Sequence, residues 1–205
     1  VFLMVEEIVI KNFEIKFINH ALLLIEASSS NARFLTDPWY ISPAFGTWYP
    51  YPGPKFTDVK DIATSQKELI VTISHGHDDH LDDFFIKSYL SDSQIIIPDR
   101  PSKGLYNRVS NCVDKKPIEI ARGYSNTIRI KGVEVYNFIN KGYPNDSIFV
   151  FSNEDEVIVH ANDNWHEQPK EIIDQIKKIS LNKFIYYFSQ VGIASSFPIA
   201  FPNIS

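Results

Sequence analysis

Leu69-Ile70-Val71-Thr72-Ile73-Ser74-His75-Gly76-His77-Asp78-Asp79-His80 is the stretch on which the reading of this chain turns. Its first five residues are apolar or β-branched without alternation, the pattern of a strand buried on both faces. The strand runs directly into the histidines. In an extended chain, residues two apart face the same side, so His75 and His77 can grip one cation. Asp79 and His80 can turn to a second position beside it. Imidazole and carboxylate are donors that borderline divalent metals accept, and Gly76 leaves room for the backbone to bend. Behind them, Leu81 to Leu90 opens with Asp82 and Asp83 and continues with spaced apolar residues. That pattern predicts a helix whose positive end faces the site.

Working outward, Glu14–Phe17, Ala21–Ile25 and Arg33–Thr36 read as short strands, with a turn cluster at Ser28 to Asn31 and a stop at Asp37-Pro38. Residues 38–56 combine prolines and glycines with Trp39, Tyr40, Phe45, Trp48, Tyr49 and Tyr51. No regular helix fits there. The aromatics either pack down as a satellite core or form a lip over the metal site that meets an apolar or ring-bearing substrate. Thr57–Gln66 predicts an amphipathic helix with Val59, Ile62 and Ala63 inward. Gln94–Pro98 is a buried strand. Arg100, Lys103, Arg108, Lys115 and Lys116 are a solvated face or a recruiter of an anionic substrate. Pro117–Ile120, Thr127–Ile130, Val133–Phe138, Ile148–Ser152, Val157–His160 and Lys183–Ser189 read as strands, with a hairpin turn at Lys131-Gly132. Trp165–Ile179 reads as a helix on its isoleucine spacing. Asp163, in a polar loop after a buried strand, is by itself a turn residue, a helix cap or a ligand.

The pattern His-x-His-x-Asp-His at the end of a hydrophobic strand resembles the signature of the metallo-β-lactamase superfamily. Asn19-His20-Ala21-Leu22-Leu23-Leu24-Ile25-Glu26 is similar to that superfamily's Gly-His-Ala strand, in its branch of broad metal-dependent hydrolases. Leu35-Thr36-Asp37-Pro38-Trp39 resembles the Asp-Pro segment after it. Val157 to Asp163 resembles the later strand ending in Gly-Asp, with Asn162 in the glycine's place. The branch includes proteins similar to ascorbate-6-phosphate lactonase, N-acylphosphatidylethanolamine phospholipase D and the amino-terminal part of CMP-N-acetylneuraminate hydroxylase.

The resemblance implies an α/β fold, an αββα sandwich of metallo-β-lactamase type, with a carboxyl end expected to be incomplete. It implies that His75 and His77 hold a first metal, Asp79 and His80 a second, and Asp163 bridges them. Zinc, as one or two ions, is the expected cofactor, with iron or manganese as the alternative. The implied activity is hydrolysis of an ester, lactone or phosphodiester of a small molecule by a metal-bound hydroxide, with Asp79 orienting the nucleophile or relaying its proton. Two other readings accompany it: an iron-dependent oxygenase or oxygenase-associated domain, and a degenerate binding domain without catalysis. The family's third histidine for the first metal is missing, since no histidine lies between His80 and His160. Asn137 or Asn140 falls near its place, and the first position recruits His20 or His166, binds weakly or stays empty. His160 reads as structural. After His166 no histidine follows, so the closing histidine of the family is also absent, and a further carboxyl-terminal segment is expected beyond the apolar tail Ala200 to Ser205.

Composition bounds the rest. The chain has 205 residues, formal charge -5, 44% hydrophobic and 22% charged residues, consistent with one domain spanning 1–205. The acidic balance argues against a general nucleic-acid binder. No stretch reaches the roughly 18 uninterrupted apolar residues of a membrane span; the nearest, Phe184 to Phe201, contains Ser, Gln, Gly and Pro and reads as core. Val1 to Ile10 lacks the marks of a signal peptide. The single Cys112 rules out an internal disulfide and points to a reducing, cytoplasmic setting.

Overall fold

The computed structural model describes residues 13–28, 30–51, 53–64, 66–139, 146–163 and 168–189. The readings made for Val1 to Ile10, Asn140, Trp165, His166 and Ala200 to Ser205 lie outside those residues. Strands β1 (Phe13–Asn19), β2 (Leu22–Ala27) and β3 (Ala32–Thr36) form an antiparallel meander. Strands β4 (Glu68–Thr72), β5 (Gln94–Pro98) and β6 (Ile118–Ile120) continue it in parallel, giving a six-stranded sheet in sequential order. Parallel neighbours need long crossovers. Helices α1 (Phe56–Thr64), α2 (Asp83–Tyr89) and α3 (Gly104–Ser110) supply them in turn. The second sheet starts with the antiparallel strands β7 (Thr127–Ile130), β8 (Val133–Ile139), β9 (Ser147–Ser152) and β10 (Glu156–Asn162). Helix α4 (Lys170–Ile179) then returns the chain to β11 (Phe184–Ser189), which lies parallel to β10 in the order β11-β10-β9-β8-β7.

Strand alternation builds the layers. Leu22, Leu24, Val71, Ile95 and Ile97 pack with Phe85, Ile86 and Val109 under the first helices. Their neighbours Leu23, Ile25, Ile70 and Ile96 point the other way and meet Val133, Val135, Phe149, Phe151 and Ile158 between the sheets. Ile148, Val150, Val157 and Val159 turn outward again and pack with Ile172 and Ile179 of α4. Period-two side chains on sheets covered on both faces thus produce the αββα sandwich. Burying three such apolar layers is the main driving force for the fold.

The hairpin expected at Lys131-Gly132 is present, with φ of 48° and 88° at its two central residues, as a two-residue turn of this kind requires. Three expectations are corrected. The expected helix over Trp165–Ile179 begins only at Lys170, because the proline at position 169 disfavours helical geometry at Gln168 and itself sits extended at the helix entry. Helix α3 runs through the stretch whose charges read as a solvated face or a recruiter of an anionic substrate, and Leu105, Tyr106 and Val109 turn one face of it to the core. Helix α2 starts at Asp83, with Asp82 as its cap. Asp82 accepts from Phe85 N at 3.0 Å, and also from Ile41 N and Ser42 N at 2.7 Å each. One carboxylate thus closes the helix and anchors the aromatic loop.

The carboxyl ends of β3, β4 and β10 open on one place, where such sheets bind their ligands. Asp37 follows β3, Ser74 to His80 follow β4, and Asn162-Asp163 close β10.

Candidate metal centre

Each donor reaches the site for a local reason. The chain leaves β4 in irregular backbone, and His80 N donates to His77 O at 3.1 Å, closing the turn that brings His80 back beside His75. Gly76 is not what permits this bend. Its φ is not left-handed, and an added Cβ would meet only Leu105 Cδ1 at 3.7 Å. Arg108 of α3 holds the loop instead. It donates to Gly76 O at 2.7 Å and Leu81 O at 3.1 Å, and pairs with Asp78 at 3.1 Å and Asp83 at 2.9 Å. Lys103 pairs with Asp99 and Glu119. The basic stretch is thus partly a clasp for the loop.

Asp37 fixes the loop from beneath. It is buried, accepts from Ser74 N at 2.7 Å and Ser74 Oγ at 2.8 Å, and faces His80 Nδ1 at 3.1 Å. Three non-glycine residues with left-handed backbone ring the site: His20 (φ 36°), Asp37 (φ 39°) and Asn162 (φ 40°). Such strain persists only where the surroundings over-determine it. Asn162, standing where the family has glycine, fits because asparagine tolerates this region. Its side chain donates to Ser147 O at 2.7 Å and accepts from Asp163 N at 2.6 Å, which aims Asp163.

The geometry brings the predicted residues together. His75 Nε2 lies 2.9 Å from His77 Nδ1 and 3.6 Å from Asp163 Oδ2. His80 Nε2 lies 3.2 Å from Asp163 Oδ1 and 3.9 Å from Asp79 Oδ2. Donor atoms of His75, His77 and Asp163 all fall within 4.8 Å of one another, and so do those of His20, Asp79 and His80. His20, whose Nε2 is 3.4 Å from Asp79 Oδ2, therefore stands with the second pair and not with the first. Asn137 is fully buried, and its amide nitrogen is directed to Ile148 O at 3.4 Å. His160 stays behind the site, 3.9 Å from Asp37, in keeping with a structural role.

A cation fits this donor set. His80 Nε2, His20 Nε2, Asp79 Oδ1 and Asp163 Oδ1 are buried atoms that lack an aligned hydrogen bond. Their close contacts are those of groups pointing at a shared centre rather than at each other. Leaving so many polar atoms unmatched is costly unless something satisfies them.

The electrostatics follow from the same geometry. Burial opposes charge on His80, but Asp163 and Asp37 on its two nitrogens outweigh it and push the imidazole up to about 10. Burial, then the charge on His80, pushes His75 down to about 3. Burial alone would raise Asp163, but the His80 contact overrides it and holds the carboxyl at about 2. In metal-free protein these shifts set a stability profile. His80 has a folded value above its ordinary 6.5, so its stabilisation is complete below pH 6.5 and is lost as pH rises towards about 10. His75 is depressed, so the fold is undiminished above pH 6.5 and weakens as pH falls towards about 3. Chelator-treated protein is therefore expected to have its highest denaturant midpoint near pH 6.5. Loading with a divalent metal, which displaces the His80 proton, should flatten the alkaline limb. A metal-free midpoint that climbs steadily from pH 6.5 to 9.5 would contradict this arrangement.

A cleft of about 250 Å³ opens on the His77 side, lined by His75, Gly76, His77, Arg100, Ser102 and Leu105. The aromatic loop divides between its two expected roles. Trp39 and Tyr40 are buried, with Trp39 edge-on to His20 at 5.3 Å between centroids. Phe45, Trp48, Tyr49 and Tyr51 are exposed, and the Phe45 ring lies 6.4 Å from that of His77.

Asp146 escaped the sequence reading. Its Oδ1 is 3.8 Å from His75 Nε2. The available signal was a carboxylate immediately before a buried strand, in the interval between His80 and His160 that holds no histidine.

Residues 14–181 match a family model described as a beta-lactamase superfamily domain. Among solved structures, a Veillonella parvula protein described as "a possible metal-dependent hydrolase" aligns over 82% of this chain and 68% of its own, with TM-score 0.59 and 16% identity. CmlA, a diiron β-hydroxylase from Streptomyces venezuelae, aligns over 82% of this chain and 32% of its own, with TM-score 0.57 and 14% identity. Both are likenesses of fold. A Mycolicibacterium smegmatis protein named for a Rieske 2Fe-2S centre is 28% identical over 89 residues, 43% of this chain. The chain spans 16% of that relative's length.

Proposed function

Because this chain belongs to the metallo-β-lactamase superfamily, we propose that it is a metal-dependent hydrolase acting on an ester, lactone or phosphodiester of a small molecule, in the cytoplasm. The observation that carries the reading is the convergence of His75, His77, Asp79, His80 and Asp163, with buried donor atoms left without aligned partners. His75, His77 and Asp163 would hold one divalent cation; Asp79, His80 and Asp163 would hold a second, with His20 beside them. Such cations lower the pKa of water towards about 7 and draw charge from the bond under attack.

The side chains supply the rest. Asp79 Oδ1, buried without a hydrogen-bond partner, is the group to orient the attacking water and take its proton. His20 Nε2 stands 3.4 Å from Asp79 Oδ2, beside the same position. Burial would raise the Asp79 carboxyl, but the contacts to His20 and His80 keep it below its ordinary value, so it is ionised at neutral pH. Phe45 and its exposed aromatic neighbours offer ring or apolar contact at the rim. No helix among the described residues is long and apolar enough to cross a membrane.

The test joins metal analysis of protein purified without chelators to turnover on an ester, lactone and phosphodiester panel. About two zinc per chain with turnover supports the hydrolase. Asp79→Ala is expected to lower turnover by at least about a hundredfold, the usual scale of a lost acid–base group; retained turnover removes Asp79 from the mechanism. A second reading, an iron-dependent oxygenase or a domain associated with one, is favoured by the names of two relatives, a diiron β-hydroxylase and a Rieske protein. Iron with a visible absorption band would select it. No metal, with folding untouched by His77→Ala, would leave a non-catalytic binding domain.

A further inference from the structure

We propose that Asp146 is the third side-chain donor of the first metal position, taking the place of the missing histidine, and that the position therefore accepts manganese(II) or iron(II) more readily, relative to zinc, than a three-imidazole site would. The inference rests on the dinuclear reading above and adds a residue and a metal class to it.

Four observations carry it. Asp146 Oδ1 is 3.8 Å from His75 Nε2, on a nitrogen that Asp163 Oδ2 also approaches, at 3.6 Å. The side chain is mostly enclosed, 16% exposed, so it is not a passing surface contact. Its position is fixed by the next residue. Ser147 Oγ donates to Ser74 O at 2.8 Å, while Ser147 O accepts from Asn162 Nδ2 at 2.7 Å. That one serine staples the start of β9 to the histidine loop and to the end of β10, and so holds both Asp146 and Asp163 close to His75 Nε2. The competing donor, Asn137, offers only a neutral amide oxygen, buried and without a hydrogen-bond partner, and a neutral amide is a poorer donor for a divalent cation than a carboxylate.

The chemistry of the donor set gives the metal class. His75, His77, Asp146 and Asp163 offer two imidazoles and two carboxylates. Three imidazoles suit zinc, whereas two histidines with carboxylate and open positions suit iron(II), and added carboxylate suits manganese(II). Arg100 feels the charge of Asp146, so the rival account is that Asp146 exists to balance that guanidinium.

Metal titration of the chelator-treated full chain with manganese(II) and zinc(II), by competition against a chromophoric chelator, separates the two. Wild-type protein is expected to take about two cations. Asp146→Asn should lose affinity for one of them by at least about tenfold and keep the other, a loss on the scale of a disturbed metal environment. Asp146→His should restore uptake and move the zinc-to-manganese affinity ratio of that position towards zinc by about tenfold or more. If Asp146→Asn does not fold by circular dichroism, the ratio in Asp146→His decides alone. Unchanged affinities in Asp146→Asn, or an unchanged ratio in Asp146→His, would overturn the assignment and leave Asp146 as the partner of Arg100. Wild-type protein that takes up no cation would overturn this inference together with the dinuclear reading beneath it.

Discussion

Asp163→Asn is expected to strip the centre of metal and activity together. Asp163 reaches both halves of the cluster, with Oδ2 at 3.6 Å from His75 and Oδ1 at 3.2 Å from His80. Asparagine keeps the size but removes the charge, and a neutral amide is a far poorer donor for a divalent cation than a carboxylate. Neither half can then keep its cation, so metal content after desalting should fall from about two per chain to fewer than one. Turnover should fall at least about a thousandfold, the rate equivalent of several kcal/mol of lost charge stabilisation. Two cations at undiminished affinity in Asp163→Asn would mean that the carboxylate only pairs with His80.

The second large effect is expected where no metal is touched. Asp37→Ala should cost about 3–5 kcal/mol of stability, the penalty for removing one partner of a buried charged pair. Its carboxylate is 1% exposed and meets Ser74 N, Ser74 Oγ and His80 Nδ1 at once. Burial alone would raise the Asp37 carboxyl, but His80, then His160 and His75, keep it below its ordinary value. It is therefore charged at neutral pH, and its loss leaves a buried imidazole and a buried N–H unmatched. Urea unfolding should show the midpoint falling with the slope unchanged. Metal content should fall too, because Ser74 and His80 lose their bearing. Asp37→Asn, which can still accept from Ser74 N, should recover part of the stability but not the hold on His80. A midpoint within error of wild type in Asp37→Ala would show that the loop is held by Arg108 alone.

Local patterns carried most of the fold into view. The runs at Gln94–Pro98 and Thr127–Ile130 are strands at the expected residues, because β-branched content and flanking turns are local properties. The same holds for the histidine loop, whose donors are close in sequence. What lay hidden was set by distant partners. Arg108 clasps Asp78, 30 residues away, and Ser147 ties to Ser74, 73 residues away. Neither pairing leaves a trace in periodicity. Helix α3 was obscured because it is only seven residues long and its three inner-face residues, Leu105, Tyr106 and Val109, lie in a stretch flanked by charges. Asp146 was not legible because a lone carboxylate before a strand is an ordinary turn residue in sequence, and only the fold brings it to the His75 nitrogen. The order of the sandwich, with one sheet's outward residues under helices and its inward residues against the other sheet, was implied by the resemblance more than by alternation, since the buried strands are apolar on both faces.

Diffraction from crystals of metal-loaded protein, recorded on either side of the zinc, iron and manganese edges, tests the central claim most directly. It should give two anomalous peaks about 3.5–4 Å apart, the spacing of paired catalytic cations. One should sit against His75, His77 and Asp163, and the other against Asp79, His80 and Asp163. Maps with no anomalous signal at any edge, and the imidazoles of His75, His77 and His80 turned apart around water, would contradict it.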